Sequence, residues 1–210
     1  MPGSIGARAA LALCARFEPM AIVLGRREAL LLLGASGLAT ALYPDDASAT
    51  TALAASLDEL VKRSDQIFFG RPLQASSRWA DVGAGRRIVT YTTVQVEEPL
   101  EGDAQAEYVV RTLGGKVGDV GQLVHGEASL RIGEDNLIFL HRARNGDHVV
   151  TARAQGQYPL RADDRGTRRL HQSPRIAYLV NDEKSAAHVL VGRTVSEARR
   201  VVLDALGKSG

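Results

Sequence analysis

The side chains able to do chemistry are thinly spread along this chain. Five histidines are present, His125, His141, His148, His171 and His188, and no two stand at a His-x-x-x-His spacing. Asn145-Gly146-Asp147 between His141 and His148 is a hairpin turn signal. A hairpin there would set the two imidazoles across from each other with Asp147 nearby, which makes them the weak candidates for a divalent metal. Hydrolysis needs a nucleophile, a base and an orienting acid. Ser129 and Ser173 are available, but no Gly-x-Ser-x-Gly elbow frames either one. The carboxylate pairs Glu97-Glu98, Asp163-Asp164 and Asp182-Glu183 are sequence neighbours, and adjacent strand residues point to opposite faces. Gly114-Gly115-Lys116-Val117-Gly118-Asp119-Val120-Gly121 has the glycines of a phosphate loop, but Val117 stands where the hydroxyl should be. The reading is a protein without catalytic residues, metal or cofactor. Its partner-binding candidates are the loop glycines Gly114, Gly115 and Gly118, and Trp79 in a flexible loop over residues 76–85.

Composition narrows the classes further. The chain has 210 residues and a formal charge of +2, with charges of both signs interspersed. That balance leaves no electrostatic footprint for nucleic acid, and only 5% of residues are aromatic, too few for a base-stacking surface. The only cysteine is Cys14, so residues 50–210 have neither a disulfide nor a thiolate metal site.

The N-terminal quarter carries the clearest pattern. Arg26 and Arg27 precede an apolar run of about 14 residues, Ala29 to Leu42, which is followed by Ala47-Ser48-Ala49. A bilayer span needs roughly 20 apolar residues, so the run is too short for an anchor. Basic pair, short apolar stretch and small-x-small end form the layout of a cleaved export signal. The arginine pair resembles the twin-arginine class, although Glu28 follows the pair, so a general secretory signal stays open. The expected organisation is an N-terminal extension over 1–19, with translation starting at Met20. A signal over 20–49 follows, cut after Ala49. The product is periplasmic or extracellular, and the export machinery is a transient partner.

The elements that must hold any site follow from the patterning. Ser56-Leu57-Asp58-Glu59 is a capping box, so a short helix is predicted over 56–63, after a linker at 50–55. Strands are predicted over 66–73, 87–97, 106–113, 137–141, 148–152 and 157–160, the strongest being RIVTYTTVQVE. Residues 161–193 read as a polar, loop-rich segment. Thr194-Val195-Ser196-Glu197 caps a closing helix over 194–207, with Gly207 just past its end. The predicted class is mainly β with flanking helices (α+β), built on a small antiparallel OB-like barrel over 64–160.

Ser64-Asp65-Gln66-Ile67-Phe68-Phe69-Gly70, Pro99-Leu100-Glu101-Gly102 and Ile132–Leu140 (IGEDNLIFL) occur in an order that resembles the netrin-like, or tissue-inhibitor-of-metalloprotease, module. The phrases GG-x-x-G and G-E-x-x-l-l-F-L are also similar to those of exported bacterial proteins of unknown function. The export signal, the single compact domain, the barrel layout and the lack of a reactive constellation point first to a non-enzymatic module that binds a protein or ligand. The netrin-like resemblance implies a five-stranded OB-type barrel and, as one alternative function, an inhibitor or accessory domain of an extracytoplasmic metalloprotease. Those inhibitors reach zinc through an N-terminal cysteine and several disulfides, which residues 50–210 lack. A metal-dependent hydrolase is the remaining alternative.

Overall fold

The computed structural model describes residues 51–208 apart from Ala84 and Ala104. Arg26, Arg27, Ala47 and Ala49, and with them the expected signal, lie outside the described residues. No helix among the described residues is long and apolar enough to cross a membrane.

The fold is mainly β, with a multi-stranded sheet and few helices. In chain order the strands are β1 (Thr51–Leu53), β2 (Gln66–Val82), β3 (Gly85–Glu101), β4 (Glu107–Leu113), β5 (Gly115–Val117), β6 (Val120–Gln122), β7 (Asn136–Arg142), β8 (His148–Val150), β9 (Gln157–Ala162), β10 (Arg168–Leu170) and β11 (Tyr178–Val180). The helices are α1 (Leu57–Arg63), α2 (Ala187–Leu190) and α3 (Val195–Ala205). The main sheet runs β10-β9-β7-β2-β3-β4-β8, and β8 pairs with β7 as well. All its neighbours are antiparallel except β4 and β8, which meet in parallel at Val110 and His148.

Alternation assigns the apolar residues of this sheet to two separate cores. Ile67 and Phe69 of β2, with Leu137 and Phe139 of β7, face Leu60 of α1, Leu190 of α2, and Ala198 and Val202 of α3. Phe68, Ile138 and Leu140 turn the other way and pack with Val94, Tyr108, Val110 and Val150. A strand buried on both faces reads as an unbroken apolar run, which is why Ile67-Phe68-Phe69 and Leu137-Ile138-Phe139-Leu140 do not alternate with polar residues. Both predicted capping boxes are present: Glu59 N–H donates to Ser56 Oγ and Glu197 N–H to Thr194 Oγ1, each glutamate returning a bond to its cap residue.

Three expectations are corrected. Residues 76–85 are not a loop: β2 and β3 are each 17 residues long and pair to the tip, Val82 opposite Gly85. Both faces of this extension are largely exposed, so no alternation marks it. Residues 114–121 are not a flexible loop either, because β5 and β6 form a small hairpin there. The expected linker contains β1, which pairs in parallel with β11. Residues 161–193 are mostly turns and irregular backbone, interrupted by the short β10, β11 and α2.

Candidate functional site

The register decides what each predicted site residue can do. His141 lies opposite Val149, whereas His148 lies opposite Arg142. Neighbours along a strand face opposite ways, so the two imidazoles sit on different faces of the sheet and share no metal. His148 packs edge-on against Tyr108, with ring centroids 5.1 Å apart. Among the described residues no group of three His, Cys, Asp or Glu side chains comes together as metal ligands.

Trp79 lies within β2 across from Ile88, with the Arg86 guanidinium 5.5 Å from its ring centroid. It is 38% exposed. Gly114, Gly115 and Gly118 serve the β5–β6 hairpin. A Cβ on Gly115, which has φ +131°, would stand 2.3 Å from Thr90 Oγ1, so the glycine lets the hairpin lie against the β2–β3 ribbon. The adjacent carboxylates are taken up separately: Glu97 by Arg71, Glu98 by Arg199 and Asp163 by Arg169. Ser173 is buried and donates to Gln157 Oε1 at 3.0 Å.

His141 belongs to a different place, a cleft of about 580 Å³ beside β1. Its floor follows from strand pairing. Val110 meets His148, so Arg111 is level with Val149, and Val149 lies opposite His141. One row, Arg111–Val149–His141, therefore crosses three strands on one face. Leu113, two residues on from Arg111, extends it. One wall is β1 and the two residues after it. The Gln155 side chain pins this wall by imitating a neighbouring strand: Oε1 accepts from Ala55 N–H at 2.7 Å and Nε2 donates to the Leu53 carbonyl at 2.9 Å. Glu59 and Arg63 of α1, Glu127, and the turn at Ala152-Arg153 complete the lining.

That turn is strained. Ala152 and Arg153 both have left-handed backbones, with φ of 52° and 57°. Each such non-glycine residue costs on the order of 1 kcal/mol, and the surrounding packing must hold it. Ala154 N–H donates to the Gly126 carbonyl, and a Cβ on Gly156 would meet the Thr151 carbonyl oxygen at 2.2 Å. The strain delivers Arg153 to the mouth of the cleft.

Hydrogen bonding fixes the state of His141. Ser64 Oγ donates to the Leu60 carbonyl at 2.7 Å, so its only proton is committed. The 2.8 Å contact between Ser64 and Thr151 must then be a bond from Thr151. Thr151 Oγ1 in turn accepts from His141 Nδ1–H at 3.4 Å. A nucleophilic relay would run the other way, with the hydroxyl donating to histidine. Burial holds the His141 pKa below its usual value, and the nearby Arg63 charge adds to that, against an opposing effect of Asp65. Nδ1 thus carries a proton, and burial disfavours adding a second, charge-bearing one at Nε2.

The cleft charges are unevenly matched. Arg111 Nε is 2.7 Å from Asp147 Oδ2. Glu59 is engaged by the α1 cap, whose backbone hydrogen bond is the main reason its carboxyl lies below the usual range. Burial pushes the Glu127 carboxyl up, offset in part by the Ala128 N–H and by Arg153 and Arg111. Neither Arg63 nor Arg153 has a salt-bridge partner among the described residues. Sequence reasoning named none of Arg63, Arg111, Glu127 or Arg153, because they come from four separate segments and share no motif.

No protein-family model matches this chain, and no curated protein matches it.

Proposed function

We propose that this chain is an exported, non-enzymatic module that binds a ligand outside the cytoplasm through the cleft beside β1. The observation that carries the proposal is the cleft itself. At about 580 Å³ it falls in the range of about 300–1,000 Å³ typical of small-molecule sites. Its wall is pinned by Gln155, its turn is held under strain, and Arg63 and Arg153 have no salt-bridge partner among the described residues. The hydroxyl–histidine chain points away from nucleophilic chemistry, which favours binding over hydrolysis. The contacts of β8 with both β4 and β7 support an OB-like barrel as the scaffold. The arginine pair and the Ala47-Ser48-Ala49 end support export, with Thr50 as the first residue of the working protein.

The test is native mass spectrometry of the chain recovered from an extracytoplasmic fraction. Val149→Trp fills the floor of the cleft. The wild type is expected to carry a small-molecule mass that the variant loses. A wild type without bound mass, or a variant that retains it, would overturn the proposal.

A further inference from the structure

The polarity of the cleft changes with depth, and that gradient selects a class of ligand. The floor row carries apolar Leu113 and Val149 alongside Arg111, which is held by Asp147, and His141, with Ala152 also in the lining. Glu127 also lies deep, only 6% exposed, and its carboxyl sits in surroundings that disfavour charge. An anionic group placed there would face a second carboxyl in a poorly solvated pocket. Two lining cations have no salt-bridge partner among the described residues, and one of them, Arg153, also offsets the burial of Glu127. Arg63 at the end of α1 and Arg153 on the strained turn are both exposed, and both line the mouth. A guanidinium presents a fork of N–H donors that matches a carboxylate, and charge-assisted pairs of this kind are the stronger hydrogen bonds.

We infer that the cleft takes an amphiphilic monoanion, an apolar body carrying one carboxylate, with the tail on the Leu113–Val149 floor and the head between Arg63 and Arg153. This inference rests on the cleft being the binding site. His141, opposite Val149 in the floor row, serves as a reporter of the tail site.

The test uses the purified full-length chain and three probes. Octanoate has tail and charge, octan-1-ol the same tail without charge, and inorganic phosphate the charge without a tail. Binding is read from the His141 imidazole NMR signal, assigned by its loss in His141→Gln. Octanoate is expected to shift the signal and to bind at least about tenfold more tightly than either other probe. Arg63→Gln and Arg153→Gln should each weaken octanoate by about tenfold, a factor equal to one charge-assisted contact. Both residues are exposed, so both variants should fold, and Arg165→Gln outside the cleft controls for net charge. Equal binding of octanoate and octan-1-ol, or no effect of the two cleft arginines, would overturn the anionic head while leaving the cleft a binding site. Equal binding of phosphate and octanoate would overturn the apolar body. No shift with any probe would overturn the inference and the ligand-binding reading together.

Discussion

Asp135 joins β2, β7 and β10 through two arginines, and replacing it with asparagine should cost stability in a pH-dependent way. It precedes β7 and is only 6% exposed. Arg71 of β2 grips it with two bonds, Nε to Oδ1 at 2.5 Å and Nη2 to Oδ2 at 2.9 Å. Arg168 of β10 closes on Oδ2 from the other side. One carboxylate thus ties together three segments far apart in sequence. Asp135→Asn keeps the shape but removes the charge and places an amide NH2 against a guanidinium. Breaking a fully buried pair costs about 3–5 kcal/mol, whereas exposed pairs contribute about 0–1 kcal/mol. Here the carboxylate is buried but the arginines are 45% and 50% exposed, so solvent screens the pair. A loss of about 2 kcal/mol at neutral pH is expected, which lowers Tm by roughly 4–8 °C for a domain of this size. Hydrogen bonding to Arg71 is the largest reason the Asp135 pKa lies below its usual value, and the charges of Arg71 and Arg168 add to it. A depressed folded-state pKa contributes stability that is complete above the unfolded value of about 3.9 and is lost as pH falls through the folded value. Wild type and Asp135→Asn should therefore differ most above about pH 5 and converge below about pH 4. Urea unfolding followed by circular dichroism between pH 3 and pH 7 measures this. A difference below about 0.5 kcal/mol at pH 7, or one that does not shrink in acid, would refute the reasoning.

Other perturbations test the wall and the core. Gln155→Leu removes the side-chain bonds to Leu53 at the end of β1 and to Ala55 just after it, and should cost about 1–3 kcal/mol. Hydrogen exchange at the Ala55 amide should accelerate at once, and unchanged exchange would show that Gln155 does not hold the wall. Leu60→Ala empties a fully buried site where α1 meets the cluster that holds α3, and should cost roughly 2–5 kcal/mol in a thermal melt. A change under about 1 kcal/mol would mean that α1 is not part of the cooperative core.

The sequence was most legible where a local rule is also the structural rule. The two capping boxes mark their helices because cap and partner are three residues apart. The RIVTYTTVQVE strand is visible because β-branched and aromatic residues suit a pleated, half-buried surface. The far half of the β2–β3 ribbon was hidden for the opposite reason. Ser76, Ser77, Arg78, Ala80 and Asp81 give no apolar period, and only cross-strand backbone pairing makes them a strand. Pro72 also reads as a strand end, yet a register shift beside it lets the strand continue, since proline is tolerated at a bulge. The short β1 and β11 depend on each other across more than a hundred residues, and neither has a signal of its own. The cleft was illegible as a site because Arg63, Arg111, Glu127 and Arg153 meet only through the β4–β8 and β7–β8 pairings. His141 was named, but with His148 as its companion; the register gives it Arg111 and Val149 instead.

A role outside the cytoplasm requires that the chain be exported and cut after Ala49. The most direct measurement is the intact mass of the chain recovered separately from the cytoplasmic and extracytoplasmic fractions of cells that express it. The expected result is a polypeptide of residues 50–210 found outside the cytoplasm. A chain that stays in the cytoplasm with residues 20–49 still attached would contradict the proposed role.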